Sequence, residues 1–207
     1  MNRREALCGV VGGVLGVGAA KSVLGVEPVV APKSRDEAIK LLTEVRQGQA
    51  YTDEPVPEED ILKIVQIGCN APSGHNVQPW FFSVVTNREL LAQIDKAAKV
   101  GPGRLSVSGG TLVIFVCCEP TDIGRYDAGA AGDRMNVAAN LLGYGCKTVM
   151  TAPRAANEKE FKEKLGVPDK YEVYTALIIG VEKERSVDGV SGATTREPME
   201  KKVAFVK

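Results

Sequence analysis

From Ser34 onward, apolar residues recur in two rhythms, one helical and one of short continuous runs. Ala38, Leu41, Leu42 and Val45 stand at i, i+3, i+4 and i+7. They follow Ser34-Arg-Asp-Glu37, which has capping-box spacing, so a helix starts there and buries one face. Pro57-Glu-Glu-Asp60 opens a second helix, with proline early and acids in the first turn against the dipole. Its stripe is Ile61, Ile64 and Val65, and the next place on that face holds the small Gly68. Residues 80–86 have the composition of a strand, and Asn87 starts a helix carrying Leu90, Leu91, Ile94 and Ala97. Residues 101–110 are glycine-rich and read as a mobile or plain surface loop. Residues 111–118 are apolar throughout at strand length, hence a buried strand.

Residues 126–142 read as a long helix whose first half, Asp127-Ala-Gly-Ala-Ala-Gly132, is built of small side chains. These suit either close approach of another backbone or tight core packing. Gly143-Tyr-Gly145 ends it. Residues 146–150 form a short apolar run leading to Thr151-Ala-Pro153. Asn157 caps a helix with Phe161 and Leu165 that Gly166 ends, and residues 171–181 make a second long apolar strand. Helices interleaved with few strands predict an α+β domain, a mixed sheet flanked by helices.

Residues 1–25 do not belong to that pattern. Arg3 and Arg4 precede an apolar stretch from Ala6 to Ala20, interrupted by Lys21, with Gly18 and Ala20 at suitable −3 and −1 positions for cleavage. This describes an export signal. Asn2-Arg-Arg-Glu-Ala-Leu7 resembles a twin-arginine signal; an ordinary signal peptide or an uncleaved anchor has the same make-up. Residues 26–33, with two prolines, are a linker. The domain is expected over 34–184 and a tail over 185–207, with the mature protein on the periplasmic or extracytoplasmic side.

The chain of 207 residues has 26 basic and 26 acidic side chains, so no nucleic-acid or polybasic membrane footprint is present. The single histidine, His75, excludes a multi-histidine metal site, and no metal site is expected. The five cysteines show no CxxC or zinc spacing and no disulfide framework. Cys117 and Cys118, side by side in an apolar run, are expected as buried free thiols.

The chemistry concentrates in Ala71-Pro-Ser-Gly-His-Asn-Val-Gln-Pro-Trp80. Ser73, Asn76 and Gln78 offer short neutral donors and acceptors, Gly74 frees the backbone, and Pro72 and Pro79 keep both ends out of helix. Such a loop can wrap a polyhydroxylated ligand; a polar turn ahead of a strand has the same composition. The loop is similar to the flavin-contacting loop of the nitroreductase family, FMN-dependent oxidoreductases. Tyr51-Thr-Asp-Glu-Pro-Val-Pro57 matches a second run of that family. The resemblance, from about Asp36 to the C-terminus, implies a three-layer fold, a domain-exchanged homodimer and FMN at the subunit interface. It implies that Ser73, Asn76 and Gln78 bind the ribityl chain and ring edge. His75 either donates a proton or orients the loop, and no side chain is required as a general base. The family's N-terminal phosphate pattern, aligned on Tyr51, falls on Val45, Gln47 and Gln49, with Arg46 one place off. Gln49 can bond the flavin ring but brings no charge, which lowers the potential of the bound flavin.

The tail carries a second signal. Asp188-Gly-Val-Ser-Gly-Ala-Thr194 resembles the acceptor sequence of a flavin transferase, which joins FMN through its phosphate to the final Thr. A Gly/Ser turn is the local alternative. Arg196-Glu-Pro-Met-Glu200 resembles the family's phosphate-binding tail, so the FMN tethered at Thr194 is expected to be the one held by Ser73, Asn76 and Gln78. The resemblance implies ping-pong electron transfer from NAD(P)H, or from a membrane or exported donor, to a nitro, quinone or enone acceptor. A non-enzymatic covalent-flavin electron carrier is the alternative.

Overall fold

The computed structural model describes residues 34–43, 45, 47–103, 105–183 and 197–206. The leader, the linker, Arg46, Thr194 and Arg196 lie outside the described residues. No described helix is long and apolar enough to cross a membrane.

The helices are α1 (Arg35–Thr43), α2 (Glu58–Cys69), α3 (Arg88–Ala97), α4 (Asp122–Leu141), α5 (Ala152–Ala156) and α6 (Lys159–Lys164). The strands are β1 (Trp80–Val85), β2 (Leu112–Cys118), β3 (Gly145–Val149) and β4 (Glu172–Gly180), joined in the order β1-β2-β4-β3. All three pairings are antiparallel, and a parallel bridge from Gln47 to Cys146 makes the sheet mixed at its β3 edge.

β2 explains the three layers. Every residue of it is buried, and alternate side chains enter different cores because strand side chains point to opposite faces. Val113, Phe115 and Cys117 join Leu91, Ile94, Ala155 and Phe161 of α3, α5 and α6. Leu112, Ile114, Val116 and Cys118 join Ile64 of α2 and Ala128, Met135 and Ala138 of α4. Burying a side chain such as Phe115 contributes about 1.5–3 kcal/mol. Cys117 and Cys118 are free and buried, and burial pushes the Cys117 thiol up to about 12.

α2 and α4 meet at Gly68, where a Cβ would stand 2.7 Å from Met135 Cγ and Sδ; the small residue in the α2 stripe is what lets the helices touch. Beyond the end of α4, the Tyr144 hydroxyl donates to Asp60 Oδ2 at 2.7 Å, while Lys63 Nζ holds Oδ1 at 2.8 Å.

Four expectations are corrected. α1 forms, but none of its residues is buried, and Ile39, Leu41 and Leu42 are exposed. α4 begins at Asp122, four residues before the expected start at 126, because the Thr121 side chain accepts the Gly124 N–H at 2.9 Å. Residues 101–110 are not a plain surface loop. A 3₁₀ turn, Val107–Gly109, buries Val107 fully, and the Asp95 carboxylate accepts from the amides of Val107 and Ser108 and from Ser106 Oγ. Asn157 does not cap α6, whose N-cap is Glu158. It ends α5, a helix the sequence pattern does not announce, and exchanges two 2.8 Å bonds with the Val173 backbone of β4.

Candidate functional site

The loop between α2 and β1 is pinned at both ends. Ala71 and Trp80 are buried against Ala131 of α4, and the Trp80 ring stacks on Phe82 at 6.3 Å. Between them the chain turns sharply. His75 (φ 49°), Asn76 (φ 57°) and Gln78 (φ 52°) all occupy the left-handed region, which costs a residue with a Cβ roughly 1–2 kcal/mol. Internal bonds hold the turn. Ser73 Oγ accepts the Gln78 N–H at 3.0 Å, and Gln78 Nε2 donates to Asn76 Oδ1 at 3.2 Å. From α4, Asp127 Oδ2 accepts the Gly74 N–H at 3.2 Å. The result is an exposed rim of neutral donors and acceptors, the set expected for a hydroxylated chain and a heterocycle edge. His75 is exposed on that rim, with no hydrogen-bond partner among the described residues.

Gln47 and Gln49 lie elsewhere. Gln47 bridges Cys146, and its Oε1 accepts the Thr148 N–H at 2.9 Å, so this carboxamide serves the β3 edge. The Gln49 amide donates to Glu182 Oε1 at 3.1 Å, but its side-chain Oε1 is buried without a partner among the described residues. A buried acceptor left unpaired is costly, and the imide N–H of a flavin is a donor of the kind it lacks. Tyr51 closes this segment, donating its hydroxyl to the Ile178 carbonyl at 3.1 Å.

Near the same β3 edge an open cleft of about 820 Å³ is lined by Lys99, Gly101, Pro102, Met150, Thr151 and Arg154, among others. A smaller one of about 610 Å³ shares Met150 and Arg154 and adds Arg125, Glu172 and Tyr174. Lys99 has φ 55°. The Val100 N–H reaches the Asp95 carbonyl and the Lys99 N–H the Lys96 carbonyl, so Lys99 fills the place just past a helix end where glycine is usual. Sequence reasoning missed Lys99, Thr151, Arg154 and Asp127. A lysine near a helix end and an arginine after a proline carry no distinguishing signal, and Asp127 was visible only as the start of a small-residue run.

The two groups occupy diagonally opposite corners of the sheet. Trp80, at the loop's exit, pairs with Cys118, which pairs with Glu172. Cys146, beside Gln47, pairs with Ile179, seven residues along β4 and on the far edge. That is roughly 20 Å along the strands and about 14 Å across them, with helices packed on both faces. One chain therefore brings Ser73, His75, Asn76 and Gln78 together, and separately Gln47 and Gln49; the smaller cleft runs from Met150 and Arg154 to Cys118 and Glu172, level with the loop's exit.

The model of the nitroreductase family matches residues 46–104, which run from the Gln47 segment through the loop to the wall of the cleft. A protein of Archaeoglobus fulgidus provisionally named NADH dehydrogenase/NAD(P)H nitroreductase is 31% identical over 155 residues, covering 72% of this chain and 87% of that one. An FMN reductase [NAD(P)H] of Bacillus subtilis is 28% identical over 174 residues, covering 73% and 68%. Among solved structures, an FMN-dependent nitroreductase from Clostridium difficile R20291 superposes with a TM-score of 0.67 at 25% identity, covering 82% of this chain and 99% of that one.

Proposed function

The chain belongs to the nitroreductase family, and we propose that it is an exported FMN-dependent oxidoreductase whose site is completed by a second copy of itself. The observation that carries this is the diagonal separation of the two residue groups. A homodimer that sets the loop corner of one chain against the β3 corner of the other joins them. Apolar surface left over on the single chain supports it: Ile39, Leu41 and Leu42 of α1, and Val203, Phe205 and Val206 of the tail, are all exposed.

In such a site Ser73, Asn76 and Gln78 hold the ribityl chain and ring edge. Gln49 of the partner chain turns its unpaired Oε1 to the ring imide. Arg46, Lys99, Arg154 and Arg196 supply positive charge for the phosphate and for the reduced ring, at places where Val45, Gln47 and Gln49 supply none. FMN held there would supply two-electron redox chemistry between a donor and a small nitro, quinone or enone acceptor. The chain's own residues bind, orient and set the electrostatics. His75 sits on the rim where it either donates a proton or shapes the loop. The donor is NAD(P)H, as in the names of the relatives, or, after export, a membrane or exported carrier.

Asp188-Gly-Val-Ser-Gly-Ala-Thr194 supports attachment of FMN through its phosphate to Thr194 by a flavin transferase. A tether suits a protein that leaves the cytoplasmic FMN pool behind. The test is intact mass of the mature protein from cells that possess the transferase, with Thr194→Ala alongside. A gain equal to FMN minus water, lost in the variant, supports the tether. Yellow, dialysable flavin keeps the oxidoreductase and overturns the tether; a protein that neither carries nor takes up FMN overturns both. Sedimentation that finds only monomer overturns the shared site.

A further inference from the structure

We propose that Asp127 is the positioning residue of the 71–80 loop: its carboxylate, reaching from the second turn of α4 to the Gly74 amide, holds the left-handed turn that presents Asn76 and Gln78. The inference rests on reading that loop as the flavin contact.

The argument starts from an imbalance. Asp127 is only 3% exposed, and a buried carboxylate is costly unless it is hydrogen-bonded. Yet the donor it serves, the Gly74 N–H, belongs to an exposed residue that water can satisfy. A buried charge is thus committed to a group that does not need it for solvation. Its neighbours on α4 are Ala128, Ala131 and Gly132, so packing alone would accept alanine at 127. What the bond accomplishes is placement. Ala131, one turn further along the same helix face, packs against Ala71 and Trp80 at the two ends of the loop, and Asp127 grips its middle. Three side-chain-bearing residues in the left-handed region persist only where surrounding contacts over-determine them. The Ser73–Gln78 and Asn76–Gln78 bonds lie within the loop. Among the described residues, the Asp127 bond is the polar one that ties this loop to α4.

The experiment compares Asp127→Ala, Asp127→Asn and Gly74→Pro in protein made without the transferase. Amide exchange is read in the flavin-free state, and FMN affinity by fluorescence titration. Asp127→Ala should speed exchange over residues 75–78 at least tenfold and weaken FMN about tenfold or more. Asp127→Asn keeps an acceptor for the Gly74 N–H and should stay within about threefold of wild type in both. Gly74→Pro deletes the donor and sets its Cδ against the Asp127 carboxylate; it should be at least as damaging as Asp127→Ala, and the double variant should be no worse than Asp127→Ala alone. Exchange and affinity unchanged in Asp127→Ala, or Asn as damaged as Ala, would overturn the proposal. If Asp127→Ala does not fold, Gly74→Pro decides alone. If wild type takes up no FMN, the flavin reading fails while the exchange arm still judges Asp127.

Discussion

Substituting Asp95 by alanine takes the acceptor away from three donors at once. The side chain is 6% exposed and receives Val107 N–H at 2.8 Å, Ser108 N–H at 2.9 Å and Ser106 Oγ at 2.6 Å. Hydrogen bonds to a charged group contribute about 1.5–3 kcal/mol each, but the three are not lost equally. Ser106 Oγ can turn to Ser108 Oγ, 3.0 Å away, and the partly buried Ser108 amide can reach water. The Val107 amide cannot, since Val107 is wholly buried. One full loss and two partial ones give about 3–4 kcal/mol. Asp95→Asn keeps one acceptor and should lose about half as much. Urea denaturation measures this: with a slope of about 2 kcal/mol per molar, the midpoint of the alanine variant should fall by about 1.5–2 M at unchanged slope. A loss below 1 kcal/mol in alanine, or alanine and asparagine alike, would refute the accounting.

Two further outcomes can be checked on the same preparations. Gly110→Ala would set a Cβ 2.5 Å from Ile178 Cγ2 and 2.9 Å from the Ile179 carbonyl; backbone cannot give way there, so thermal unfolding should register a loss of about 1–3 kcal/mol. Bonds from Lys63 and then Tyr144 hold the Asp60 carboxyl below its ordinary value. A depressed folded pKa stabilises above the unfolded value and loses that contribution as pH falls through the folded one. Asp60→Asn should therefore cost stability at pH 7 and converge on wild type as pH drops below about 4.

How much the sequence disclosed depended on whether a signal was local. The continuous apolar run became β2, and Asn87 caps α3 as its position predicts, accepting the Leu90 N–H at 3.0 Å. The 71–80 loop was recognisable because its chemistry is contiguous. Asn157 shows the opposite case. Its side chain is a good helix cap in isolation, but β4 lies within reach and satisfies it better. α1 has a true apolar stripe, yet periodicity says only that a face wants covering and not by what. The start of α4 was hidden because its first turns carry no apolar period, only a threonine cap. Likewise nothing in a linear sequence says that Gln49 and Ser73 stand at opposite corners of a sheet, since that follows from the strand order.

That strand order also sets a schedule for synthesis. β4 lies between β2 and β3, so the strand that unites the sheet is the last one made. At ribosomal rates of about 5–20 residues per second, the 53 residues between the end of β2 and the start of β4 take roughly 3–11 seconds. Through that interval the seven wholly apolar residues of β2 have only β1 beside them and one edge open. The nascent chain thus carries its stickiest segment half-paired throughout that interval, which makes shielding of that open edge a requirement of assembly separate from the final stability of the sheet.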